Sequence, residues 1–209
     1  MSKSKDRPLL EATLTNIEVA IDAVTSNEAV ASIPVIGTAF KICKGINDIR
    51  SRAFAAKLER FVSARDLAKP AAKVAILKKV QASPDEARKV GETLFLVLDR
   101  FIDLDKPESL AKVFIAFVDN QVSAEDLQRL AQAIDLAYCG DLRSLLKADE
   151  YAINGGSLDA TNLPWMRTLI PSGLTINNSG GVGVVRTKNE VTPLGQLLWK
   201  AWRHELQEP

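Results

Sequence analysis

Residues 83–101 read SPDEARKVGETLFLVLDRF, and the way this stretch begins and then repeats decides the architecture. Ser83 stands where a helix N-cap belongs, Pro84 suits the first helical position, and Glu86 follows the cap by three. Asp85 and Glu86 set negative charge at the positive end of the helix dipole. Val90, Leu94, Val97, Leu98 and Phe101 then recur at helical spacing, giving one apolar stripe. The spacing predicts a helix to about Ile102.

The same grammar continues downstream. Asp105 with Glu108 opens a helix whose apolar face is Leu110, Val113, Phe114 and Phe117. Ser123 with Asp126 opens another, with Leu127, Leu130, Ala131 and Ile134 inside and Gly140 as the stop. Asp141 caps a fourth that runs through Leu146. Short links between helices imply antiparallel neighbours, so the expected fold is mainly α, a multi-helix bundle over residues 1–150.

Upstream, Leu10, Leu14, Ile17, Ile21 and Val24 mark a first helix over about 9–24. A long basic helix is expected from about Val35 to Val62, with Ile42, Ile46, Ile49, Ala53, Leu58 and Phe61 on its inner side. Phe40 and Phe54 join that stripe. Pro70 opens a short helix carrying Val74, Leu77, Lys78 and Lys79.

After Tyr151 the character changes. Leu174-Thr175-Ile176 and Val182-Gly183-Val184-Val185 read as strands around Asn177-Asn178-Ser179-Gly180-Gly181, a hairpin-turn composition. Thr192-Pro193 opens a closing helix through Leu194, Leu197, Leu198 and Trp202. Gly173-Leu174-Thr175, the hairpin at 177–181 and Val191-Thr192-Pro193-Leu194-Gly195 together resemble the second half of a winged-helix module. The likeness covers at most residues 141–206 and implies a small α+β tail over residues 151–209. It also implies either duplex DNA or protein as the partner. In the DNA-binding form, a helix before the hairpin enters the major groove and basic residues of helix and wing meet phosphates. Here Thr161 to Ile170 offers only Arg167, and the wing adds Arg186 and Lys188, which weights the reading toward protein docking or self-association. A second stretch, Phe117-Val118-Asp119-Asn120-Gln121-Val122-Ser123-Ala124-Glu125-Asp126-Leu127, is similar to the helix junctions of TerB-like bundles. It departs from a calcium loop, lacking the sixth-position glycine and a carboxylate at the twelfth, Leu130.

Charge is segregated along the chain. Residues 41–90 hold thirteen Lys and Arg against five Asp and Glu, a net of +8, while residues 91–160 hold six against thirteen, a net of −7. Arg50, Arg52, Lys57 and Arg60 are the centre of an expected patch for an anionic partner, either nucleic acid or an anionic membrane. The uncharged run Ala29–Phe40 is too short to span a bilayer and is broken by Pro34, yet it is a candidate membrane-active segment beside the basic helix. Trp199 and Trp202 are the candidate anchors for a protein partner, since aromatic residues dominate interface energetics. The same two rings serve equally well to pack the tail inward.

Catalytic signatures are wanting. Gly181-x-Gly183-x-x-Arg186 lacks the third glycine of a dinucleotide loop and leads into no long helix. Cys43 and Cys139 with the single His204 cannot build a zinc site. The first ten residues, MSKSKDRPLL, lack the apolar core of a secretory signal. The expectation is a cytoplasmic, non-enzymatic binding or regulatory protein without cofactor, working through protein contacts. Nucleic-acid binding and membrane activity are the alternatives.

Overall fold

The computed structural model of the chain describes residues 31–33, 49–67, 69–154, 163–179 and 187–205. The expected helix at 9–24 lies outside them, as do Phe40, the strand expected at 182–185, and most of the segment 29–40. The chain divides into two compact units, residues 1–111 with 207–209 and residues 112–206. Elements on both sides of residue 150 therefore share the second unit.

The described part is mostly helical, with one small antiparallel hairpin near its C-terminal end. Helix α1 (Ile49–Val62) and α2 (Pro70–Ala82) pack against α3 (Pro84–Arg100) in the first unit. On α1 the buried side is Phe54, Leu58, Phe61 and Val62, while Ala53, assigned inward by its spacing, is exposed. Phe54 meets Phe95 of α3 edge to face, with ring centres 5.1 Å apart. On α3 the expected stripe holds throughout, with Val90, Leu94, Val97 and Leu98 buried. Its end differs. The helix stops at Arg100, Phe101 turns inward, and Ile102 is almost wholly exposed.

The start of α3 differs in mechanism as well. Ser83 occupies the cap position, but its side chain makes no capping bond. Its φ and ψ of −142° and 73° serve to join α2 to α3 through a single residue. Pro84 and the acidic first turn are left to start the helix, and Glu86 pairs at 3.6 Å with Lys79 of α2.

Helix α4 (Lys106–Val118) is followed by α5 (Ala124–Leu136), where the expected cap is present. Ser123 Oγ accepts the Asp126 amide at 3.0 Å. Leu127, Leu130, Ala131 and Ile134 are buried, as their spacing requires. The junction after α5 departs from expectation. The helix ends at Leu136, two extended residues (Ala137 and Tyr138) make the corner, and α6 (Cys139–Lys147) begins before Gly140. Gly140 is therefore a first-turn residue and not a stop. Asp141 is not a cap either, because its carboxylate accepts the Thr168 hydroxyl at 2.6 Å.

The short α7 (Glu150–Ile153) is capped by Asp149, whose carboxylate accepts the Ala152 amide. The last elements are α8 (Pro164–Thr168), a single 3-10 turn (Ile170–Ser172), β1 (Thr175–Ser179), β2 (Thr187–Val191) and α9 (Pro193–Arg203). Asn177 to Ser179, read as turn, belong to β1, and the observed β2 starts at Thr187, five residues after the start expected for it. Thr175 pairs with Val191 and Ser179 with Thr187. Polar pairs dress the ladder: Asn177 Nδ2 donates to Asn189 Oδ1 at 2.9 Å and Asn178 Nδ2 to Glu190 Oε2 at 2.6 Å. Thr192 caps α9 as read from the sequence, accepting the Gly195 amide at 3.1 Å. Gly195 is required there, because a Cβ would stand 2.2 Å from the Leu174 carbonyl oxygen. Among the described residues no helix is long and apolar enough to cross a membrane.

Candidate functional site

The residues singled out by charge in the first unit differ in exposure. Lys57 is only 8% exposed, and its ammonium donates to the Asp99 carbonyl at 2.7 Å. A lysine so placed belongs to the interior and leaves the expected patch. Its aliphatic stem extends the apolar stripe while its head finds an α3 carbonyl near the helix end, which periodicity alone cannot foresee. Arg52 is half-buried, with Nε shielded from water and without a hydrogen-bond partner. Arg60 is exposed and lies 3.7 Å from Asp105, a separation with little energetic weight at the surface. The Arg50 side chain, Arg186 and the Lys188 side chain lie outside the described residues, although the Lys188 backbone pairs with Asn178 in the hairpin.

The two tryptophans of α9 are engaged within the second unit. Trp199 Nε1 donates to the Ala148 carbonyl at 2.8 Å. Arg203, one turn later, lies over the Trp199 ring at 3.8 Å from its centre. Its guanidinium also donates to the Leu146 carbonyl at 2.8 Å and the Ala148 carbonyl at 2.9 Å. These carbonyls close α6, where unpaired oxygens gather at the negative end of the helix dipole. Trp199 and Arg203 thus clamp α9 to the end of α6. Trp202 has Lys112 Nζ over its ring at 5.8 Å. His204 Nε2 lies 2.7 Å from Asp119 Oδ2, an ion-pair distance at which the ring is out of line for a hydrogen bond. Trp199 is thus tied to the end of α6, the kind of inward packing that the sequence offered as its second role.

The surface that stands out is a corner of the second unit. The Thr168–Asp141 bond brings the end of α8 to the first turn of α6. Ile170 follows Thr168 by two residues, and Tyr138 precedes Asp141 by three. The 3-10 turn holding Ile170 packs on α5, which ends at Leu136. Leu136 is 61% exposed, Tyr138 is 72% exposed, and Ile170 is also open to water. The Tyr138 ring lies across the Gly140 backbone, 3.0 Å from where a Cβ would be. None of the three was singled out from sequence. The signal was there for Leu136, a leucine off the stripe set by Leu127, Leu130 and Ile134.

Next to this corner, α8 is barely one and a half turns long, and its two large side chains, Trp165 and Met166, are buried. Arg167 is its only basic residue, and it is exposed. Thr175 Oγ1 donates to the Met166 carbonyl at 2.5 Å, tying α8 to β1. The corner offers apolar area and phenolic and hydroxyl hydrogen-bonding groups, with Arg143 and Arg167 exposed close in sequence to Asp141 and Thr168.

No family model matches the chain, and no curated protein and no solved structure is similar to it at a significant level.

Proposed function

We propose that the protein is a non-enzymatic binding or regulatory module whose second unit docks another protein, a second copy included, through the corner of Leu136, Tyr138 and Ile170. The observation that carries the reading is the exposure of Leu136, Tyr138 and Ile170 on segments that the Thr168–Asp141 bond ties together. Exposed apolar and aromatic side chains are what protein interfaces use as anchors. The order of short helix, hairpin and closing helix supports a winged-helix-like tail. The brevity of α8 weighs against the DNA-reading form of such a tail. A helix read in the major groove needs several outward donors, and α8 presents one arginine.

The test is recovery of the tagged, intact chain from its own host, with protein and nucleic acid measured together. A protein recovered in stoichiometric amount with the parent chain, and lost with Tyr138→Asp and with Leu136→Asp, is the expected result. Recovery of nucleic acid that falls away as salt is raised, unaffected by either substitution, would replace docking by nucleic-acid binding.

A further inference from the structure

The asparagines among the described residues are Asn120, Asn154, Asn177, Asn178 and Asn189, and they differ in how they are held. Asn177 Nδ2 donates to Asn189 Oδ1 and Asn178 Nδ2 donates to Glu190 Oε2, so these carboxamides are fixed across the hairpin. Asn120 is followed by Gln121, whose amide donates to the Ala116 carbonyl at 2.8 Å. Asn154 differs on each count. It is exposed, and its side chain makes no hydrogen bond with another described residue. It stands at the C-cap of α7, with φ −86° and ψ 8°, and its own amide donates to the Glu150 carbonyl at 3.0 Å. The next residue in the sequence is Gly155, which has no side chain to shield its backbone nitrogen.

We infer that Asn154 is a site of spontaneous deamidation, converted with time to aspartate and isoaspartate. The Gly155 backbone nitrogen gives up its proton to hydroxide and attacks Asn154 Cγ. A new C–N bond forms, the Cγ–Nδ2 bond breaks, and Nδ2 leaves as ammonia after taking a proton from water. The product is a cyclic imide. Water then adds to one of the two ring carbonyls. Cleavage at Cγ gives aspartate, and cleavage at the main-chain carbonyl gives isoaspartate, with the chain rerouted through the side chain. The net change is one water in and one ammonia out, with no oxidant or reductant. Attack requires ψ of Asn154 to turn away from 8°. That rotation spares α7, because the bond Asn154 makes to Glu150 runs through its amide, on the other side of the rotating bond. The product carries a new carboxylate at the carbonyl end of α7, where negative charge is disfavoured. In isoaspartate the α-carboxylate is released from the peptide bond, which makes the aged chain a substrate for the class of S-adenosylmethionine-dependent methyltransferases that esterify that group.

Storage of the intact, folded chain in warm, mildly alkaline buffer tests the inference. Peptide mapping by mass spectrometry should show the amide-to-acid mass change at Asn154 ahead of every other asparagine, and mildly acidic buffer should slow it. Methyl transfer from labelled S-adenosylmethionine, catalysed by a purified isoaspartyl methyltransferase, should rise in step. Asn154→Gln should lose both signals, since the larger ring that glutamine must close forms far more slowly. Gly155→Val should lose most of both, because the added side chain crowds the attacking nitrogen. Asn154 is exposed, so the helical circular dichroism of Asn154→Gln should match the parent. An unchanged mass at Asn154, earlier conversion at another asparagine, or conversion indifferent to Gly155→Val overturns the inference.

Discussion

Two serines in equivalent sequence settings do different things. Ser83 and Ser123 both stand at a helix start with an acidic residue three positions on. Only Ser123 accepts a backbone amide, from Asp126. Ser123→Ala should cost about 1 kcal/mol in chemical unfolding, whereas Ser83→Ala should be nearly neutral. A sequence cannot separate them, because the difference lies in ψ at Ser83, set by the single-residue link between α2 and α3. The tryptophans carry a similar lesson. Trp199 was legible as an important side chain, but the carbonyl it meets, that of Ala148, lies 51 residues earlier. Trp199→Phe keeps most of the apolar area and removes one hydrogen bond, so a loss of about 1 kcal/mol is expected in denaturant titration, with binding at the Tyr138 corner unchanged. Gly195→Ala should be far worse, at roughly 2–3 kcal/mol, since the added methyl meets backbone and not a mobile side chain.

Among the elements, legibility follows the strength of the periodic signal. Helices α3 and α5 were readable in extent and inner face because their apolar residues fall on one stripe and polar residues fill the rest. The α5–α6 corner was misread because glycine is a common helix stop, while the stop here is Ala137, whose backbone is extended without needing glycine. The hairpin was readable as a hairpin but not in register. Apolar residues at 182–185 look more like a strand than Thr187-Lys188-Asn189-Glu190-Val191. Yet the observed β2 buries Asn189 and Val191 and holds its partner with amide and carboxylate side chains. Asn189→Ala leaves the Asn177 amide without its cross-strand acceptor. It should loosen the hairpin by about 1 kcal/mol, read as faster amide exchange in β1 with the helices unaffected.

For the molecule as a whole, the net charges of +8 and −7 in successive stretches describe an asymmetry of sequence, from which the buried Lys57 has to be taken out as a surface charge. The helical body with a small α+β tail was legible from composition and pattern. The exposed corner at Leu136 and Tyr138 was not, because exposure of these residues depends on where two helices meet.

The close approach at Gly195 reaches beyond stability. The Thr192 amide donates to the Leu174 carbonyl at 3.0 Å, the Thr192 hydroxyl donates to the Gly173 carbonyl at 2.7 Å, and the Gly195 α-carbon abuts the same strand entry. Hairpin root and closing helix are welded at that point like a blade into its handle. A displacement of the strands at this root is therefore passed to α9, and through Arg203 to the end of α6.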